Sequence, residues 1–377
     1  MKKTCTAAVI AALAMGWILS PRLALSHGSL TTTVLFDREI VRILNTHCVS
    51  CHIDGGLAFP LSTYEETWLR GRSIRMAILR HHMPPWPAVP GYGEFLNDNG
   101  LTLREMQFFV AWVEGLGPRN AGTVFLNVND PAAAARQHVR AGAHVGHWQL
   151  GEPDVVRRLD GRRIEARQAD SVQRSIVDLG LTSERRMTSL EYVPGDRRVV
   201  RAAVFSVEST GQWLGSWTPW YGATKLPDGI ALRLQPGTRI VADVHYRGTA
   251  DTVNERGELG LHFADRQTVT ASPDLVLQPR RDARGTWRAN AAVASDLRVW
   301  ALRPDIDADV ASLEVSARRP DGGTDILLYA RDVSAEWPTP FILKKPLLVR
   351  RGTQLVFVAR SKDASRDLRT RMVVARY

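Results

Sequence analysis

Apolar positions change their spacing once along this chain. Between Asp37 and Thr46 they fall at Ile40, Ile43 and Leu44, which predicts a helix with one buried face. Trp68 to His81 predicts a second helical stretch. A third opens at Thr102-Leu103-Arg104-Glu105, with Thr102 placed as its N-cap. It puts Met106, Phe109, Val110 and Val113 on its buried side, and Gly115 and Gly117 end it. From about Ala121 the texture becomes that of short strands: Val199–Val207, Arg239–Tyr246, Ala311–Ala317, Ile326–Ala330 and Gln354–Ala359. Turn signals separate them, among them Pro194-Gly195-Asp196, Pro227-Asp228-Gly229, Pro236-Gly237 and Pro320-Asp321-Gly322-Gly323. The expected fold is therefore multidomain. An all-α domain over 27–120 and a linker over 121–144 precede an all-β region. That region is expected to be a tandem of jelly-roll-like β-sandwiches, 145–265 and 266–377.

The first 26 residues read as a signal peptide. Lys2 and Lys3 precede an apolar run from Ala7 to Leu19 that is too short to span a bilayer, and Ala24-Leu25-Ser26 is a small-x-small cleavage site. The rival is a retained anchor. The expectation is an exported, soluble, periplasmic protein rather than an integral membrane protein. Composition agrees with a globular chain, at 44% hydrophobic and 23% charged residues over 377 positions. The net charge of +10 is uneven: +3 over residues 1–26, −1 over 27–120 and +8 beyond. The arginines of the basic part are scattered among strand-like segments without a dense run, so a solvated surface is expected and nucleic acid is not.

Three cysteines exclude a disulfide scaffold, and Cys5 leaves with the leader. The other two stand in Cys48-Val49-Ser50-Cys51-His52, the attachment signature of haem c. Two thiols add across two vinyl groups, and the adjacent histidine reaches the iron. A thioredoxin-like site wants a βαβ context, and a zinc site wants a second ligand pair. Neither is visible. The all-α domain is thus expected to be a cytochrome c domain. His81-His82-Met83-Pro84-Pro85-Trp86 offers the second axial ligand. Met83 would raise the iron potential, and the prolines would hold its loop stiff. His81, His82 or an open site are the alternatives.

The strand region carries a resemblance. Gly146-His147-Trp148 to Asp154, Glu191-Tyr192-Val193-Pro194-Gly195, and Leu226-Pro227-Asp228-Gly229 through Val244-His245-Tyr246 are similar to the copper type II, ascorbate-dependent monooxygenases, which include peptidylglycine α-hydroxylating monooxygenase. Arg319-Pro320-Asp321-Gly322 to Asp363-Ala364-Ser365 resembles their second sandwich. The haem segment, with Met83-Pro84-Pro85-Trp86, resembles a domain carried by bacterial relatives. The resemblance implies two copper sites built from His and Met. Arg201 and Ala202 stand where it implies a histidine pair, leaving His245 as a weak remnant of the first site. Asp305-Ile306-Asp307 follows Pro304 where it implies His-x-His, and Met372 is the one late methionine, without matching context. The two carboxylates are expected in salt bridges. Copper is not expected.

Other histidines complete no ligand set: His138, His144 and His147 near the junction, and His27 at the new N-terminus. Trp213, Trp217 and Trp220 suggest a core or inter-sandwich plug. The expected function is one-electron transfer by a single covalent His52/Met83 haem. The fused sandwiches would dock a redox protein partner or bind a small molecule. The alternatives are an active copper-dependent monooxygenase fed by that haem, and an accessory role in an assembly with the haem a folding element.

Overall fold

The structure, a computed structural model, describes residues 32–120, 148–264, 267–363 and 367–377. The expected leader, Cys5, His27, the linker 121–144 and His138, His144 and His147 lie outside them. The chain is mostly β, with 43% in strands and 12% helical. The expected N-terminal all-α cytochrome c domain is therefore corrected. Residues 32–120 contain a π-helical turn, Phe36–Ile40, and four short helices: α1 (Val41–His47), α2 (Tyr64–Leu69), α3 (Gly71–Leu79) and α4 (Leu103–Glu114). About half of the segment is irregular, and part of it belongs to the β architecture.

The physical reason lies in the proline-rich stretch after α3. Its backbone cannot continue a helix, so it takes hydrogen-bond partners from a sheet edge instead. Val89 N donates to Tyr329 O at 2.8 Å and Leu96 N to Ile342 O at 2.7 Å. Arg331 N and Lys344 N donate back to Pro87 O and Glu94 O. Trp86 and Phe95 are buried against Phe341, with ring centroids 5.3 and 5.4 Å from it, in the core of the second sandwich.

The helices share a small core of their own. Phe36, Ile40, Leu44, Phe109 and Trp112 are fully buried together. Thr102 caps α4 in a reciprocal box with Glu105, as the T-x-x-E spacing predicts. Gly117 closes that end: its φ is +63°, and a Cβ there would lie 2.4 Å from Trp68 Cε3. The second helical stretch breaks at Arg70 into α2 and α3.

The first sandwich sets a four-stranded sheet against a six-stranded one. The four strands run in the order Ser171–Asp178, Arg239–Tyr246, Val200–Val207, Trp213–Trp217, all antiparallel. In Arg239–Tyr246 the even positions Ile240, Ala242, Val244 and Tyr246 are buried, so Asp243 and His245 point to the other face. The six-stranded sheet extends to Val269–Thr270, slightly beyond the expected limit at 265. The second sandwich pairs a four-stranded sheet (Ser272–Leu277, Thr370–Arg376, Leu297–Ile306, Phe341–Val349) with a five-stranded one.

The two sandwiches share a seam. Trp300, Ala301, Ile342, Val373 and Ala375 of the second belong to the hydrophobic core of the first. Trp213 stacks on Trp300, with centroids 5.3 Å apart and planes 21° from parallel. Of the three expected plug tryptophans, Trp213 lies in this seam and Trp217 in the first core. Trp220 packs on Trp337 at 5.7 Å.

Candidate functional site

α1 ends at His47, and Cys48 is its C-cap, with its N–H bonded to Leu44 O at 2.9 Å. The chain then turns tightly: Cys51 N and His52 N both donate to Cys48 O, at 3.1 and 3.0 Å. This places both thiols and the imidazole on the wall of one cavity of about 380 Å³. The cysteines are free. Burial pushes their thiols up, Cys48 to about 12 and Cys51 to about 11, so both are neutral at pH 7.

His52 is oriented by one contact. Its Nδ1 lies 2.8 Å from Phe59 O. A carbonyl only accepts, so Nδ1 carries the proton and Nε2 keeps its lone pair. Burial lowers the imidazole pKa, which favours the neutral ring. Phe59 holds the ring further, with centroids 4.9 Å apart, and Arg70 covers Phe59 at 4.7 Å.

Met83 borders the same cavity, 40% exposed, together with Pro84 and Pro85. A second cavity of similar size is also lined by Met83, with Trp86 and Phe95. His81 and His82 are exposed and absent from the wall that carries the cysteines. They face a smaller cleft of about 230 Å³ beside Asp309, Asp332 and Lys362.

The rest of the wall was not anticipated from the sequence. Ile74, Ala77 and Ile78 of α3 make an apolar side. Four residues of the sandwiches also line it: Arg201 and Arg247 from the first, Glu336 and Trp337 from the second. Arg201 is only 5% exposed, donates through Nη1 to Glu336, and lies over Trp337 at 5.3 Å. Its identity was visible in the sequence only as an arginine where the resemblance implied histidine. Arg197 ties the helical segment down from the same side, donating to Ser50 O at 3.4 Å and Pro219 O at 3.0 Å.

No family model matches the sequence, and no curated protein matches it significantly. Among solved structures, an allantoicase is similar at a TM-score of 0.17 and 8% identity, over 55% of this chain and 80% of its own. PBCV-1 VP54 reaches a TM-score of 0.20 at 5% identity, over 58% of this chain and 93% of its own. The N-terminal CBM22-1–CBM22-2 tandem domain of Paenibacillus barcinonensis Xyn10C gives 0.15 at 10%, over 59% of this chain and 91% of its own. Likeness this faint carries no functional argument. The β-sandwich character of the chain stands.

Of the residues singled out for copper, His245, Arg201 and Asp307 line one cleft. His245 pairs across the sheet with Ala202, so it stands next to Arg201. Both border a cleft of about 370 Å³ with Asp170, Asp307 and Glu336, adjoining the cysteine-lined cavity. Burial lowers the pKa of His245, which holds it neutral. Asp305 and Asp307 are engaged by Arg371 at 2.6 Å and by Arg369 at 3.0 Å. Met372 is fully buried in the second core, opposite Pro304. Among the described residues, no three His, Cys, Asp or Glu side chains stand together as a metal-ligating group. No described helix is long and apolar enough to cross a membrane.

Proposed function

We propose that this chain is an exported, periplasmic electron-transfer protein carrying one covalent haem c, with its sandwiches serving a redox protein partner or a small ligand rather than copper chemistry. The observation that carries the reading is the Nδ1 contact of His52 with Phe59 O, on a wall shared with Cys48, Cys51 and Met83. A fixed Nδ1–H tautomer with a free Nε2 is what an iron-ligating histidine requires, and the carbonyl partner raises its basicity. The donor set fits the group: two thiols for attachment, imidazole and thioether for iron, apolar flanks, and cationic side chains on the same cavity wall.

When bound, the haem supplies a one-electron couple, raised in potential by thioether ligation. The chain's own part is to orient and shield. Cys48 and Cys51 would hold one edge of the haem through thioether bonds. Phe59 and Arg70 hold the imidazole plane. Ile74, Ala77 and Ile78 exclude water from one side. Met83 is held by Pro84 and by the bonding of residues 87–96 to the second sandwich. In the sandwiches, Arg201 and Ala202 beside His245 leave a single imidazole next to a guanidinium, a poor copper site. That arrangement supports reading the sandwich pair as a copper-free relative of the monooxygenases it resembles.

The experiment is iron, copper and covalent haem per chain, on protein matured in a periplasm and offered excess copper. One iron with one thioether-linked haem and no retained copper is expected. Stoichiometric copper would turn the reading to the monooxygenase. A chain without haem would remove the electron-transfer function.

A further inference from the structure

We infer that the outer face of the five-stranded sheet in the second sandwich is a docking surface for an acidic protein. That this partner is a redox protein rests on the haem reading above; the surface itself rests on the sheet. Its strands run in the order Arg280–Arg281, Thr286–Ala292, Gln354–Ser361, Val310–Arg318, Thr324–Val333, all antiparallel. Side chains alternate between the two faces along each strand. Leu313, Val315, Leu328, Ala330, Phe357 and Ala359 fill the core, so the intervening positions form the outer face. Each strand places one arginine there: Arg280, Arg288, Arg360, Arg318 and Arg331, all exposed. Arg280 stands directly opposite Arg288, and Arg360 and Arg331 flank Ser312 from its two sides.

Gathering these arginines has an electrostatic cost, because like charges opposite one another destabilise a sheet. Elsewhere strand arginines are neutralised: Arg174 by Asp243, Arg158 by Glu258 and Arg239 by Glu208. On this face only Arg288 is, by Asp282 at 3.1 Å. Arg280, Arg318, Arg331 and Arg360 make no ion pair among the described residues, and Glu314 is the one strand carboxylate on the face. Carboxylates of a partner supply the missing counter-charges, since guanidinium binds them through paired N–H donors. Among the arginines lie Val358, Tyr329 and Ile326, the last 39% exposed, and Tyr92 packs edge-on against Tyr329 at 5.5 Å. Arginine and tyrosine around an apolar middle suit a protein interface. Four strand spacings by nine residues give about 19 by 30 Å, on the order of 600 Å². Doubled over two partners, that matches small electron-transfer interfaces, which bury less than about 1,200 Å² in total. The face also lies close to Met83. Arg331 N donates to Pro87 O at 3.0 Å, and Pro87 is four residues beyond Met83, a reach of about 14 Å at most.

The test compares two double charge reversals of equal net charge. R318E/R360E alters this face, and R158E/R163E alters exposed arginines of the first sandwich. Wild type and both variants are matured in a periplasm, and covalent haem per chain is counted on each. The probe is labelled flavodoxin, a small acidic one-electron protein, titrated by fluorescence anisotropy at about 20 mM salt and again at about 0.5 M, where charges are screened. At low salt R318E/R360E should weaken binding at least about tenfold while R158E/R163E changes it little, and high salt should erase the difference. Equal weakening by both variants would mean that net charge alone is read and would overturn the inference, as would a wild type that does not bind. Phosphatidylglycerol vesicles are offered in parallel. Vesicle binding lost in R318E/R360E, with flavodoxin indifferent to that variant, would assign the face to a lipid surface and overturn the protein partner. Face-specific binding by a chain without haem would sustain the surface while removing the haem reading and the redox identity of the partner. A haem-loaded chain without face-specific binding would do the reverse.

Discussion

Asp274 sits where the two sandwiches meet. Its carboxylate accepts from Trp213 N at 2.7 Å and Gln212 Nε2 at 2.9 Å, both on the first sandwich, while Asp274 belongs to the first strand of the second. Burial pushes its pKa up to about 6 from the ordinary 3.8, against the opposing pull of the Trp213 N–H and of Arg303. A carboxyl held at about 6 when folded and 3.8 when unfolded corresponds to about 3 kcal/mol. The sign follows from proton counting. Between those values the folded state binds the extra proton, so stability falls as pH rises. The contribution is fully present below 3.8 and is lost as pH passes through 6. Asp274→Asn cannot ionise. Its amide oxygen still accepts from Trp213 N, and the meeting of its NH2 with Gln212, whose Oε1 is held by the Asp274 N–H at 3.2 Å, costs the same at every pH. Urea unfolding, followed by tryptophan fluorescence, should therefore show the wild type losing about 2.4 kcal/mol of that relative to Asp274→Asn from pH 4 to pH 7. The comparison uses the difference at each pH because carboxylates elsewhere, such as Glu39 and Asp196, are lowered and lose stability in acid. A difference flat in pH, or one growing in the wild type's favour, would refute the assignment of a desolvated carboxyl at the seam.

In the haem-loaded protein, Met83→Ala should convert a six-coordinate low-spin spectrum into one that takes up added imidazole. His81→Ala and His82→Ala should leave the spectrum alone, since neither side chain borders the cysteine-lined cavity; an unaltered Met83→Ala spectrum would exclude the thioether as ligand. Gly117→Ala places a Cβ in left-handed backbone and 2.4 Å from Trp68 Cε3. Thermal unfolding of the helical segment should report a loss of about 2–4 kcal/mol, and a loss below half a kilocalorie would mean that Trp68 moves aside freely.

What the sequence shows and hides follows from the range of each interaction. The T-x-x-E start of α4, the face of Ile40, Ile43 and Leu44, and the turns around Pro194 and Pro236 are local, and local spacing reveals them. The all-α expectation failed because residues 86–97 find their partners some 230–250 positions later. The side chain of Asn97 bonds Pro340 O and Ile342 N, and no periodicity within the segment encodes that. Alternation could place His245 on the outer face of its strand. It could not reveal that Asp305 and Asp307 meet Arg371 and Arg369 one strand away.

The same limit applies to the cavity. Cys48, Cys51 and His52 are legible because the attachment proposed for them would need that spacing on neighbouring residues, and Met83 because it stands in a run of histidines and prolines. Arg201, Arg247, Glu336 and Trp337 answer to no spacing, since each is brought to the wall by the docking of whole sheets. Arg201 in particular looked like a loss, an arginine in place of a metal ligand. In three dimensions it is a buried cation shared by two cavities, held against Glu336 and Trp337 of the other sandwich. Met83 depends on that assembly too, because the chain just beyond it is bonded to the second sandwich from Pro87 to Glu94. The helical segment carries the two thiols and His52, and the β framework brings Arg201, Arg247, Glu336 and Trp337 to the same cavity. Any occupant of this cavity would therefore meet the sandwiches as well as the helices.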